Sequence, residues 1–501
     1  MRPHPSTAQI LMQEESEKKC MGAGRGPSSV KLVAWRVWKV SAGGTYHFET
    51  ASCLQGASRV ACALQGMGSE PQPGLVRAMG RWTLVALVIN SIIGSGIFGL
   101  PSLVWKLVGG AAPWAYLLAG AGIGVIMACF AEVASRFTEA GGPYLYARAA
   151  YGRFLGIEMG WVLWLVRLSA AAAGANLFVI YLAEFLPGAK QPVVRALVLT
   201  VLLGALAAIN YRGVKSGARM SNVFTVAKLV PLGLFVGGGG AFMFFRRGPA
   251  PLASMLHPTM GDWIQATLVL VFAYGGFEAA MIPLAEAKDP RRDAPFALLV
   301  ALAVCAALFT LIQIVVQGTL ADPGQADRPL AEAARQFMGT SGARFISLGA
   351  LVSLYGYLSA NMLNTPRLTF ALAERDDFPP IFRAIHQRFR TPHVSIVVFT
   401  ALVWLMAAIG NFRWNVVLSA VARLFAYGAV CAAMLVLRHK HPGRARFPLP
   451  AGWLFGILGI AFALVLVSRM GRAELGIVAG TMVIALLNWI WARRRRTSEV
   501  I

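Results

Sequence analysis

From Trp82 to Trp491 the chain is a succession of apolar stretches, most of them close to the length of about 20 residues that carries a helix across a bilayer. Lipid offers a backbone no hydrogen-bond partners. A chain of this pattern must therefore satisfy its N–H and C=O groups within each segment, as helix. Composition agrees: 57% of residues are hydrophobic and 14% charged, where a soluble domain carries about 25% charged residues. The expected fold class is an all-α polytopic membrane protein with twelve transmembrane helices, near 82–105, 113–135, 160–186, 193–210, 221–244, 263–283, 295–319, 343–369, 393–410, 414–437, 452–469 and 473–492.

An even count puts both ends on one side. With the N-terminus in the cytoplasm, inner connections carry residues such as Arg148, Arg153, Arg212, Arg375 and Arg438, and the tail adds Arg493 to Arg496. These inner Lys and Arg residues outnumber the outer ones, such as Lys106, Lys190 and Arg328, about two to one, as the positive-inside rule expects. The net charge of +24 is thus read as topology and not as nucleic-acid binding. The expected location is the cytoplasmic membrane, multi-pass, with both termini inside. Residues 1–80 hold neither a spanning segment nor a signal-peptide pattern. They are expected to form a poorly ordered cytoplasmic extension. The alternative is a natural start near Met79, because Met79-Gly80-Arg81 leads straight into the first span.

Within the first span lies Ser91-Ile92-Ile93-Gly94-Ser95-Gly96-Ile97-Phe98-Gly99-Leu100-Pro101. Such small residues add backbone freedom that an unbroken helix does not need. A helix interrupted at mid-membrane does need it. The interruption bares N–H groups at one half-helix start and C=O groups at the other half-helix end. The first suit a carboxylate and the second an ammonium, so a zwitterion matches both. The competing reading is a glycine face for helix packing in lipid. Span six repeats the theme in Val271-Phe272-Ala273-Tyr274-Gly275-Gly276-Phe277-Glu278. Interruptions five spans apart imply two units of opposite orientation. These would be residues 81–244 and 262–437, with 452–492 as two extra helices and 493–501 as a basic cytoplasmic tail.

Ionisable residues inside spans are costly and are candidates for function. Glu278 either holds the interrupted helix in place, binds substrate or takes part in gating, or it is a structural carboxylate bonded to free N–H groups of the second half-helix. Lys228 is either a fixed or switching cation beside the first interruption or a side chain reaching an interface. Arg167 and Arg423 read as structural pairs or interface anchors; Asn176, Asn361, Asn364 and Thr365 read as helix-bridging polar groups. Phe272, Tyr274 and Phe277 could close over a ligand or simply pack. Tyr144, Tyr146 and Tyr151 follow Gly141-Gly142-Pro143 and suggest a short interfacial helix. No enzyme constellation emerges. The seven histidines lack metal-ligand spacing, the six cysteines form no CxxC pair, and no GxxxxGK[ST] loop is present. No cofactor or metal is expected.

Three passages together resemble the amino acid–polyamine–organocation (APC) superfamily of permeases: Ile92 to Phe98, Glu132 to Tyr144, and Phe272 to Glu278 continuing through Ala285-Glu286-Ala287-Lys288-Asp289-Pro290. The resemblance runs from about residue 80 to 492 and excludes residues 1–78, which could be a fusion, an extension or a wrong start. It implies a five-plus-five inverted repeat with discontinuous helices one and six. The backbone around Ser95, Gly96 and Ile97 would take an α-carboxylate, with Gly94 also in the substrate site. Carbonyls near Ile92 and Ile93, with those of Phe272, Ala273 and Gly275, would take the α-ammonium. Tyr274 would shape the side-chain pocket or gate. Glu278 and Lys228 match positions used in gating or proton coupling, Lys228 standing where other members hold sodium. The implied activity is amino acid transport by alternating access, as proton symport or exchange. A polyamine or amine exchanger and a non-transporting sensor or scaffold remain the alternatives.

Overall fold

A computed structural model of the chain describes residues 35–40, 46–51, 79–137, 139, 141–213, 218–245, 257–443 and 445–498. Residues up to Gly74 and residues from Leu75 form two separate units. In the first, β1 (Trp35–Val40) pairs antiparallel with β2 (Tyr46–Ala51), Trp35 opposite Ala51 and Val40 opposite Tyr46. The all-helical expectation omits this hairpin, although Tyr46-His47-Phe48-Glu49 alternates apolar and polar residues as a strand does. The rest of the expected N-terminal extension lies outside the described residues, apart from Met79 and Gly80.

The second unit is helical. Its helices are α1 (Arg81–Ile92), α2 (Gly96–Val108), α3 (Ala112–Ala134), α4 (Gly142–Tyr151), α5 (Arg153–Leu182), α6 (Pro192–Arg212) and α7 (Ala218–Phe245). Then come α8 (Met260–Tyr274), α9 (Phe277–Ala280), α10 (Pro290–Thr319), α11 (Pro329–Glu374), α12 (His393–Ile409), α13 (Phe412–Lys440), α14 (Gly452–Val467) and α15 (Arg472–Ser498). Among the described residues nine helices are long and apolar enough to cross a membrane, and α1, α12 and α14 are shorter apolar helices. The long α11 bends at Gly339, whose φ of 67° leaves the helical region. The last helix continues through Arg493–Arg496, where the sequence suggests a tail.

Local signals set the ends. Thr259 and Asp262 form a reciprocal capping box at the start of α8. Asn411 accepts from the Trp414 N–H at the start of α13. Prolines occupy the first turns of α6, α10 and α11, where the missing N–H costs nothing. The more apolar window is not the more buried one. In the most apolar windows of α5 and α8 78% of residues are buried, against 17% in α6. The first two are therefore central, and α6 turns Val193, Leu197 and Val201 outward. The run Ser169 to Gly174 gives α5 small side chains on every side for more than a turn, and between helices in lipid close approach of this kind replaces hydrophobic driving force.

Contacts between the helix connections fall into two groups. In one, Met79 N–H donates to Glu286 at 3.0 Å, Lys440 to the Ala150 carbonyl at 2.8 Å, and Thr391 to the Tyr211 carbonyl at 2.8 Å. There Asp377 gathers Arg148 and Arg153, each at 2.8 Å, and the Tyr144 hydroxyl. Burial first, then the Asp377 carboxylate, raises the Tyr144 pKa, so its hydroxyl stays protonated and donates. In the other, Glu184 pairs with Arg328 and Arg335, Lys190 with Asp327, and Ser102 donates to the Ala326 carbonyl at 2.6 Å.

Candidate functional site

The first span is interrupted where its small residues cluster. Helix α1 ends at Ile92, Ile93–Ser95 bend, and α2 restarts at Gly96. The Ile93 N–H still reaches Ile89 at 2.9 Å, and the Ser95 carbonyl takes the first bonds of α2 from Phe98 and Gly99, both at 3.2 Å. Between them, the N–H groups of Gly94, Ser95 and Ile97 meet no acceptor among the described residues. The carbonyl side is partly taken. Lys228 Nζ on α7 donates to the carbonyls of Asn90 at 3.0 Å and Ile93 at 2.9 Å, an ammonium on the negative end of a half-helix. Gly96 is required by contact: a Cβ there would lie 2.9 Å from the Ala273 Cα of α8.

The second interruption has a different finish. After Tyr274, Gly275 is extended and Gly276 takes a φ of 112°, a conformation that favours glycine. A Cβ on Gly276 would strike the Ser91 carbonyl and one on Gly275 the Arg423 guanidinium. Thus the two interruptions touch, and α13 fills the space beside them. Glu278 then closes the gap. It accepts from the Gly276 N–H at 2.8 Å, Tyr427 hydroxyl at 2.9 Å and Arg423 Nε at 3.2 Å. Arg423 also donates to the Phe272 carbonyl at 3.4 Å and stands over the Phe272 ring. Such a buried carboxylate, satisfied on all sides, holds its half-helix in place.

Between the interruptions lies a cavity of about 290 Å³, at the small end for a ligand site. One wall is Asn90 to Ile92 with Gly94, Ser95 and Gly96; a second is Phe272, Gly275 and Gly276; α11 contributes Ser353, Tyr357 and Asn361. The charged lining residues are Arg167, Lys228 and Arg423, all cations. Several polar atoms around it lack a partner: Asn90 Oδ1, Ser95 Oγ, Ser353 Oγ and Asn361 Oδ1. A ligand in the cavity is one source of the bonds these atoms lack.

Of the residues singled out in the sequence, Ile92, Gly94, Ser95, Gly96, Phe272, Gly275 and Lys228 line this cavity, and Ile93, Ile97, Ala273, Tyr274 and Glu278 do not. Tyr274 is fully buried away from it, its hydroxyl on the Tyr116 carbonyl at 2.8 Å and its ring 5.3 Å from Phe309. The expected ammonium acceptors Ile93 and Phe272 each already hold a protein cation. Sequence reasoning passed over Tyr357 and Ser353 and read Arg167 and Asn361 as structural. A signal was available: Ser353, Gly356, Tyr357, Ala360, Asn361 and Asn364 recur at helical spacing, a small and polar stripe on one face of α11.

The profile of the amino acid permease family matches residues 79–486. The chain is 28% identical over 438 residues to the methylthioribose transporter of Bacillus subtilis, covering 84% of this chain and 94% of that protein. It is 30% identical over 442 residues to an uncharacterized transporter of Mycobacterium tuberculosis, covering 85% and 94%. The serine/threonine exchanger of Bacillus subtilis is 28% identical over 400 residues, covering 77% and 90%.

Proposed function

The chain belongs to the amino acid permease family, and from that premise we propose that it carries an amino acid across the cytoplasmic membrane by alternating access, without covalent chemistry. The observation that carries this reading is the pair of unpaired N–H groups at Gly94 and Ser95, two residues that line a cavity bounded by two interrupted helices. Backbone N–H groups at a half-helix start suit a carboxylate. The unpaired oxygens of Ser95, Ser353 and Asn361 supply acceptors for an ammonium. The fold reading that goes with it is twelve spans, a five-plus-five inverted repeat and two extra helices, with both termini inside.

An amine without a carboxylate fits less well. It would leave the free N–H groups unmatched and would face Arg167, Lys228 and Arg423 with no acid on the cavity wall. Sodium is not needed either, because the Lys228 ammonium already sits on the carbonyls that such an ion would use. Proton symport and amino acid exchange are the two coupling modes left. The test is uptake by the purified protein in proteoliposomes, with a panel of unlabelled amino acids as competitors, with and without a pH gradient and with sodium omitted. Uptake or counterflow without sodium supports the reading. Ligand binding without any flux would make the protein a sensor instead.

A further inference from the structure

Arg167 lies midway along α5, about 20 Å from either end of the helix at 1.5 Å rise per residue. That is too deep for its guanidinium to reach an interface, so the anchoring role suggested by sequence does not apply. It lines the cavity and makes no hydrogen bond or ion pair among the described residues. The other two cavity cations are provided for: Arg423 by Glu278, and Lys228 by two carbonyls. Glu278 does not line the cavity and is fully engaged with Gly276, Tyr427 and Arg423. Arg167 therefore holds a positive charge at mid-membrane with no bonded partner: the Glu278 carboxylate acts on it only through space and gives its ion pair to Arg423. Such a charge is expensive to keep there, and its planar fork matches a carboxylate in two parallel bonds.

We propose that the preferred substrate is an acidic amino acid, its main-chain carboxylate on the free N–H groups of the first interruption and its side-chain carboxylate on Arg167. This rests on the reading of the cavity as the amino acid site and names the class of substrate it takes. A neutral amino acid would leave the Arg167 guanidinium unmatched; a cationic one would add a charge to three already present. The cavity volume of about 290 Å³ suits the short side chains of aspartate and glutamate.

The test compares acids with their near-isosteric amides. Full-length protein in proteoliposomes is assayed for competition by L-glutamate and L-aspartate against L-glutamine and L-asparagine, and detergent-purified protein for thermal stabilisation by the same four. The acids should compete at least tenfold better than the amides. In Arg167→Gln the ratio should fall to near one, and Arg167→Lys should restore part of it. Equal competition by acid and amide in the unmodified protein overturns the inference while leaving amino acid transport intact, and so does an Arg167→Gln variant that keeps the acid preference. Should Arg167→Gln fail to fold, the acid-to-amide ratio of the unmodified protein decides alone. Absence of uptake or stabilisation by any amino acid overturns the transporter reading, and this inference with it.

Discussion

The two helix interruptions are built from similar residues and finished in opposite ways. At the first interruption the Gly94 and Ser95 N–H groups are left bare and a distant lysine grips the carbonyls of Asn90 and Ile93. At Gly275–Gly276 the protein supplies its own carboxylate: Glu278 takes the Gly276 N–H and is held by Arg423 and Tyr427. One interruption is open to a ligand and the other is closed by the protein. Two short glycine clusters can thus divide the work, the first recognising and the second holding the geometry in which recognition occurs. On the proposed reading, the free groups mark the ligand-binding half more directly than the glycines do.

That contrast can be broken most severely at the contact between the halves. Gly276→Ala would force a side chain into a φ of 112° and against the Ser91 carbonyl. Positive φ costs about 1–2 kcal/mol for a non-glycine residue before any clash, and the clash adds to it. Uptake should be lost to background and the detergent melting temperature should fall. A variant with ordinary uptake would mean that the halves do not touch as described.

Glu278→Gln comes next. It removes the counter-charge of Arg423 in a site where the two side chains are 1% and 6% exposed. Loss of one partner of such a pair costs about 3–5 kcal/mol, so thermal or chemical denaturation should show a large destabilisation. If the second interruption is scaffolding, substrate competition profiles of whatever protein remains folded should keep their order. A changed order with unchanged stability would make Glu278 a recognition group.

Lys228→Met removes an ammonium from two carbonyls. Hydrogen bonds to charged groups are worth about 1.5–3 kcal/mol each, so uptake should fall at least about tenfold, with or without sodium. Ser95→Ala should have the smallest effect. It deletes one unpaired hydroxyl on the cavity wall worth about 1 kcal/mol. The KM should rise about fivefold with little change in maximal rate.

How far the sequence could be read follows from what each feature depends on. Glycines at 94, 96, 275 and 276 mark both interruptions because backbone freedom is a local property. The proposed alternation of the connections rests on the basic residues, and the ion pairs of Asp377 with Arg148 and Arg153 and of Glu184 with Arg328 and Arg335 are consistent with it. Partnerships between distant helices were not legible. Nothing near Arg423 in the chain announces Glu278, and nothing near Arg167 shows that it is left without a partner. The rotation of a helix about its own axis is equally hidden. Tyr274 neighbours Gly275 in sequence, but one step around the helix turns its ring toward Tyr116 and Phe309 and away from the cavity. The stripe from Ser353 to Asn364 did carry a helical period. Its meaning became plain only once the interruption at Gly94, whose missing side chain would lie 3.4 Å from the Tyr357 ring, stood opposite.

The central claim is that the bare N–H groups of the first interruption take a carboxylate. Competition for proteoliposome uptake by an amino acid and by the amine left when its α-carboxylate is removed tests it most directly. The account predicts that the amino acid competes and its decarboxylated amine does not. Equal competition by the amine would contradict it.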